Sequence, residues 1–81
     1  MTFTVYIIYS AKFDRYYVDM SSDTVIRLRA HNAGNVKSTK PYRPWKYIYQ
    51  EEHKTRIEAR NREKYLKSAA GRRWRKNNLG M

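Results

Sequence analysis

The chain of 81 residues contains no cysteine, two prolines, three glycines and only seven acidic residues. Without cysteine there is no disulfide framework, no Cys-ligated zinc and no thiol nucleophile. The two histidines, His31 and His53, lie too far apart in sequence to make a metal signature by themselves. The longest apolar run, Val5 to Tyr9, falls far short of the roughly 20 residues that span a bilayer, and no basic region precedes it to make a signal peptide. The expectation is a soluble cytoplasmic chain without membrane contact. Any chemistry must come from Tyr, Arg, His, Asp or Glu.

What is abundant is positive charge. Eighteen Lys and Arg give a formal net charge of +11, and aromatic residues make up 15% of the chain, eight of them tyrosine. That aromatic content separates it from a disordered basic tail and implies a folded core. The charge is also uneven. Residues 1–36 carry a net of +1, whereas residues 37–81 carry fourteen Lys and Arg against Glu51, Glu52, Glu58 and Glu63, a net of +10. A surface so biased suits a polyanion such as DNA, with RNA as the alternative, because displacing counterions from phosphates yields large, salt-sensitive affinity. A solvated helix face or a ribosome-associated surface would share the same composition.

Phe3 to Tyr9 is rich in β-branched and aromatic residues without a helical period, which predicts a central strand buried on both faces. Tyr16 to Met20 predicts a second strand, joined to the first as an antiparallel hairpin. Ser21, Ser22 and Asp23 are candidate N-caps for a helix from Thr24 to Asn32, with Val25, Ile26 and Leu28 as its apolar positions and Gly34 as its stop. A basic loop, 35–43, leads past Pro41 and Pro44 to a third strand over Trp45 to Tyr49. Thr55 and Glu58 have capping-box spacing at the start of a long helix to about Ala69, broken at Gly71. A short basic helix over Arg72 to Lys76 follows, with fraying from Asn77. The fold class is therefore α+β, a three-stranded antiparallel sheet flanked by helices, in one domain over residues 1–77 with a disordered tail at 78–81.

Several residues depart from simple packing. Glu63 falls on the stripe formed by Ala59, Leu66 and Ala70, so a carboxylate sits at the edge of an apolar face. It is either an ion-pair partner of Arg60 or Lys67, or a metal ligand; magnesium retains most of its waters and can use a single protein carboxylate. Arg27 and His31, four apart, share a helix face and can meet one phosphate, or both can simply be solvated. Tyr17 and Asp19 point to one face of their strand, Tyr16 and Val18 to the other. Tyr6 and Tyr17 either line a shared cleft or pack as ordinary strand tyrosines.

Val5-Tyr6-Ile7, Tyr16-Tyr17-Val18-Asp19, Arg27-Leu28 with His31-Asn32, Lys37-Ser38-Thr39-Lys40 and Glu63-Lys64-Tyr65-Leu66-Lys67 occur in this order along the chain. With these landmarks the sequence resembles the small stand-alone members of the GIY-YIG endonuclease superfamily along almost its whole length. The resemblance implies the fold just described and hydrolysis of DNA phosphodiester bonds with one divalent ion, Mg2+ or Mn2+. It implies Tyr6 and Tyr17 as the motif tyrosines, either of them the base that activates water through a phenol lowered in pKa by neighbouring cations and metal-bound water. It further implies Arg27 as the phosphate-binding arginine, Glu63 as the metal ligand, and His31 as a group orienting water or phosphate. Lys37, Lys40, Arg43, Arg72, Arg73 and Arg75 then make the nucleic-acid track. So small a domain has little surface for reading bases, so structure-selective or nonspecific cleavage in repair or recombination is expected, by a monomer or weak dimer, with a partner protein for targeting.

The sequence departs from the family pattern at Asp19, where the second motif has glycine, and no downstream asparagine follows between Ala70 and Lys76. Asp19 enters the expected cleft. Its charge either repels the scissile phosphate, by roughly 4 kcal/mol for unit charges about 4 Å apart at an effective dielectric of 20, or lends the metal a second oxygen. Repulsion is the favoured reading, with Arg27 or a metal able to relieve it. The competing function is a nucleic-acid-binding module of the same fold with lost or weakened catalysis. A more remote reading is an RNA-binding protein using Tyr42 and Trp45 as stacking platforms.

Overall fold

The computed structural model describes residues 2–81. Strand β1 (Phe3–Ser10) is followed by β2 (Arg15–Ser21), helix α1 (Thr24–Ala33), a single 3-10 turn (Lys40–Tyr42), β3 (Lys46–His53), α2 (Arg56–Lys67) and α3 (Ala69–Leu79). The strands form one antiparallel sheet in the order β2-β1-β3. The apolar run of the sequence thus becomes the central strand, and Val5, Tyr6, Ile7 and Ile8 have no exposed surface.

Alternation along β1 divides the interior into two halves. Val5 and Ile7 join Val18, Ala59 and Leu66 beneath the two C-terminal helices, with Phe3, Met20, Tyr49, Trp74, Leu79 and Met81 packed around them. Tyr6 and Ile8 face the opposite side with Trp45, bordered by Tyr17, Leu28, Tyr42 and Tyr47. Val25 and Ile26, read as apolar positions of α1, are largely exposed; Leu28 is the residue that packs. Burial of Trp45, whose indole N–H donates to the Thr39 carbonyl, removes it as a stacking platform.

Helix boundaries follow the caps. The Asp23 carboxylate accepts from the amides of Val25 and Ile26, and Gly34 closes α1 in a left-handed conformation, φ 82°. Thr55 accepts from the Glu58 amide to start α2. Three boundaries differ from the sequence reading. β3 runs on to His53, because on an edge strand the polar residues Gln50 to His53 can alternate between half-buried and exposed without breaking the ladder. The helical break falls at Ser68, not Gly71: the Ser68 hydroxyl accepts from the Gly71 amide and donates to the Tyr65 carbonyl. Gly71 serves a different need, close approach, since a Cβ there would lie 1.9 Å from the Tyr65 carbonyl oxygen and 2.5 Å from Leu66 Cα. Helix α3 also continues to Leu79, where fraying was expected from Asn77, because Leu79 and Met81 rest against the core.

Candidate active site

The hairpin register sets Tyr6 opposite Asp19, and α1, capped by Asp23, crosses the same face of the sheet. Arg27 and His31, one helical turn apart, both reach this pair. Arg27 Nη2 donates to Asp19 Oδ2 at 2.8 Å and Nε to the same oxygen at 3.2 Å. Asp19 Oδ1 accepts from the Met20 amide. The Tyr6 hydroxyl lies 2.9 Å from His31 Nε2 and 3.2 Å from Asp19 Oδ2.

Behind this pair, His31 Nδ1 is 2.8 Å from Thr39 Oγ1, whose hydroxyl donates to the Val36 carbonyl. With the Thr39 hydroxyl donating to Val36, Nδ1–H donates to Thr39 and Nε2 is left as an acceptor, so the single Tyr6 hydroxyl proton is shared between Nε2 and Asp19 Oδ2. Burial, and then Arg27, push the His31 pKa down against the smaller opposing effect of Asp19. Both larger effects favour the neutral ring. Burial first, and Asp19 second, push the Tyr6 phenol far above its ordinary value, with Arg27 opposing. Of the two influences expected to lower a motif tyrosine, the neighbouring cation does not prevail at Tyr6: desolvation and Asp19 outweigh Arg27.

The His31 shift has a pH consequence. Unfolded chains take up the proton as pH falls through the ordinary histidine value of about 6.5, while the folded state resists until lower pH, so folding stability declines below that point. Urea unfolding at pH 7.5 and 5.5 is expected to show a larger acid-induced loss for the natural chain than for His31→Gln. Equal losses would remove His31 from the explanation.

Glu63 projects from α2 toward the same region. It lines a polar cavity of about 350 Å³ together with Phe3, Asp19, Met20, Ser21, Ser22, Arg27, Arg56 and Arg60. Its side chain is 12% exposed and accepts a bond of 2.9 Å from Lys67 Nζ, so of the two partners the sequence allowed, Lys67 is the one used. Tyr17 stands apart from this cavity. Its hydroxyl accepts from Ser38 Oγ, its ring meets the edge of His31 with centroids 5.6 Å apart, and Lys67 lies over it.

A family model described as the GIY-YIG catalytic domain matches residues 2–78. The chain belongs to the GIY-YIG family. No curated protein matches the sequence. Among solved structures, the domain is similar to the solution NMR structure of the UPF0213 protein BH0048 from Bacillus halodurans. The TM-score is 0.54, with 23% identity, over 91% of this chain and 81% of that chain. At that identity the likeness speaks for the fold alone. Family membership makes this a nuclease-type domain in general terms.

Within this GIY-YIG domain, the structure joins Tyr6, His31, Arg27 and Asp19 directly and sets Glu63 on the wall of the cavity that Arg27 and Asp19 also line. Lys37, Lys40 and Arg43 are exposed on the segment after α1. Arg72 and Arg75 line a separate cavity on α3, and Arg73 is exposed beside them. Three residues have roles that the sequence reading does not give them, Thr39 standing there only within a motif and Arg60 only as a candidate ion-pair partner of Glu63. Thr39 fixes the His31 tautomer, and Arg56 and Arg60 line the main cavity. The arginines precede Glu63 by seven and three residues, helical spacing that marks one face, but the signal was submerged in a basic background.

Among the described residues no group of three or more His, Cys, Asp or Glu side chains is arranged to hold a metal ion. The donor chemistry fits a water-rich hard cation nonetheless. Glu63 presents a carboxylate to a roomy polar cavity, and Mg2+ or Mn2+ needs little more from protein when waters and a substrate phosphate complete its shell. With Arg27, Arg56 and Arg60 on the walls, such an ion is best tolerated together with the anionic substrate.

Proposed function

We propose that this domain is a divalent-metal-dependent endonuclease that hydrolyses phosphodiester bonds of DNA, with structure-selective or nonspecific action in repair or recombination. The observation that carries the reading is one cavity walled by Arg27, Asp19 and Glu63, with the buried Tyr6–His31 pair joined to it through Asp19. DNA is the expected partner, held mainly through phosphates by Lys37, Lys40, Arg43, Arg72, Arg73 and Arg75, in a cytoplasmic monomer or weak dimer that a further protein directs to its target.

In this reading Arg27 takes the scissile phosphate and offsets the charge that grows on it in the transition state. Glu63 would hold Mg2+ or Mn2+, and the ion would supply Lewis-acid stabilisation of the leaving 3′ oxygen. Tyr6 is the base. It acts as a relay: once phosphate has drawn Arg27 from Asp19 and opened the buried hydroxyl to the cavity, the phenol oxygen takes a proton from the attacking water as its own proton passes to His31 Nε2, 2.9 Å away, so that no free phenolate forms. Thr39 keeps the His31 Nδ1 proton in place during the transfer. Tyr17 orients the opposite side of the ring stack.

One observation favours a second reading, a nucleic-acid-binding module with weakened catalysis. The Asp19 carboxylate already occupies two donors of Arg27, which a phosphate must recapture. Incubation of end-labelled single-stranded, duplex and branched DNA with Mg2+ or Mn2+, against a chelator control, distinguishes the two. Metal-dependent strand scission supports the endonuclease; salt-sensitive binding without scission under any of these conditions supports the binding module.

A further inference from the structure

A second cavity, about 270 Å³, opens between the edge strand β2 and α3, lined by Tyr16, Tyr17, Val18, Lys67, Arg72 and Arg75. Its lining holds three cations and no carboxylate. Neither Arg72 nor Arg75 takes part in an ion pair among the described residues, and Lys67 is shared with Glu63 of the first cavity. Arg75 Nε is buried without a hydrogen-bond partner in the chain. A buried charged donor left unpaired is costly, so groups of this kind in folded proteins ordinarily meet an acceptor. Burial, followed by the neighbouring charge of Arg72, pushes the Arg75 pKa down, with Tyr16 opposing.

The surroundings narrow the kind of acceptor that suits this pocket. Tyr16 is 40% exposed, with its ring against Tyr9 at a centroid distance of 4.7 Å, so an aromatic surface adjoins the cationic pocket. Position narrows it further. Tyr16, Tyr17 and Val18 of β2 line this cavity, whereas Asp19, Met20, Ser21 and Ser22 line the first; on α2, Lys67 borders this cavity and Arg56, Arg60 and Glu63 border the first. The two cavities therefore follow one another along β2 and α2. At about 3.3 Å per strand residue their centres are roughly 10 Å apart. That is about three nucleotides at the duplex rise of 3.4 Å per strand, and fewer along an extended single strand.

We propose that this second cavity is a phosphate subsite that holds the same DNA strand one to three nucleotides from the bond being cut, with an adjoining base resting on Tyr16. The proposal rests on the reading of DNA as the substrate. It gives the basic C-terminal helix a defined task, fixing the strand so that a neighbouring phosphate falls between Arg27 and Glu63. Gly71 has a part in this, because only its lack of a side chain lets α3 close on Tyr65 and Leu66 and carry Arg72 and Arg75 to this cavity.

The test separates binding from cleavage. In chelator, the natural chain is titrated with the 5′-phosphorylated dinucleotide pTpT while the side-chain Nε–H signals of arginine are followed by NMR, and duplex and single-stranded DNA affinities are measured for Arg72→Ala, Arg75→Ala and Lys76→Ala. Lys76 is an exposed cation of the same helix that lines neither cavity. The expected result is a shifted Arg75 Nε–H signal, DNA binding weakened about tenfold by Arg72→Ala or Arg75→Ala, a salt slope reduced by about one unit for each, and a distinctly smaller loss for Lys76→Ala. Arg72 is exposed, so its variant remains informative if Arg75→Ala disturbs packing. An Arg75 signal unmoved by pTpT, or equal losses for Arg72→Ala and Lys76→Ala, would overturn the subsite in favour of diffuse charge. Those results are independent of strand scission. A chain that binds in this way and never cuts defeats the nuclease reading alone, and one that cuts with an unmoved Arg75 defeats the subsite alone.

Discussion

Glu63→Gln is expected to slow DNA cleavage about a thousandfold at saturating Mg2+ while leaving DNA affinity in chelator within a few-fold of the natural chain. Glutamine preserves the length and shape of the side chain and can still meet Lys67, so packing on α2 changes little. What it removes is the one negative charge on the α2 wall of the main cavity. Metal-assisted stabilisation of a leaving oxygen is worth several kcal/mol, and each 1.4 kcal/mol is a factor of ten in rate. Stability offers no competing explanation, since the Glu63–Lys67 pair is a helical i,i+4 contact with Lys67 about half exposed, a type worth under about 1 kcal/mol.

Lys67→Ala provides the cross-check. If Glu63 exists to pair with Lys67, the two variants lose the same function, and Lys67→Ala abolishes cleavage as fully as Glu63→Gln. If Glu63 holds the ion, Lys67→Ala keeps its dependence on Mg2+ and changes chiefly the affinity for DNA, because Lys67 borders the second cavity. Rates measured against Mg2+ concentration for both variants decide between the two.

Much of this architecture is carried by local signals. The β-branched and aromatic run at Val5–Ile8 announces a doubly buried strand, and Asp23, Gly34 and Thr55 mark helix ends because each satisfies orphan backbone groups that any helix must satisfy. Gly71 misled for a physical reason. Glycine was read as a helix stop, whereas here its value is steric, and the cap that ends α2 is Ser68, a residue whose hydroxyl serves both helices. The candidate site divides in the same way. Arg27 and His31 share a helix face at a spacing visible in any sequence, and the relief of Asp19 by Arg27 follows from two opposite charges eight residues apart at a strand-to-helix connection. The Tyr6–His31–Thr39 chain was not legible as a chain. Tyr6 and His31 are 25 residues apart, and only the β1–β2 register together with the crossing of α1 brings the hydroxyl to Nε2. The upward shift of the Tyr6 phenol has the same origin, because burial is a property of the assembled sheet and not of neighbours in sequence.

The second large effect is expected at Asp19, and its sign is opposite. Asp19→Gly, which installs the family's glycine, is expected to raise kcat/KM for DNA cleavage about 5- to 30-fold and to lower the thermal midpoint by several degrees. The carboxylate takes two donors of Arg27 on one oxygen and also lies within reach of Tyr6. A phosphate entering the cavity must displace it from Arg27, and charge-assisted hydrogen bonds contribute about 1.5–3 kcal/mol. Arg27 is more than a third exposed, so solvent screening reduces this to about 1–2 kcal/mol, the stated range in rate. Removing Asp19 also removes a carboxylate that raises the Tyr6 pKa, although burial remains the larger cause, and it leaves the Tyr6 hydroxyl directed at His31 alone. The cost falls on the fold. Glycine in a strand is destabilising by roughly 0.5–1 kcal/mol, and the lost pair adds to this. In a domain of this size each 1 kcal/mol lowers the midpoint by about 4–8 °C.

Asp19→Asn separates the possible roles of the carboxylate. Asparagine keeps the volume and discards the charge. If Asp19 acts as a competing anion on Arg27, activity rises in the order natural chain, Asn, Gly. Should Asp19 instead lend an oxygen to the metal or accept the proton of water, both variants fall below the natural chain, and the departure from the family pattern becomes a working part of the site. A chain unchanged by either substitution would place Arg27 outside phosphate binding, since freeing its guanidinium would then have no effect on the reaction.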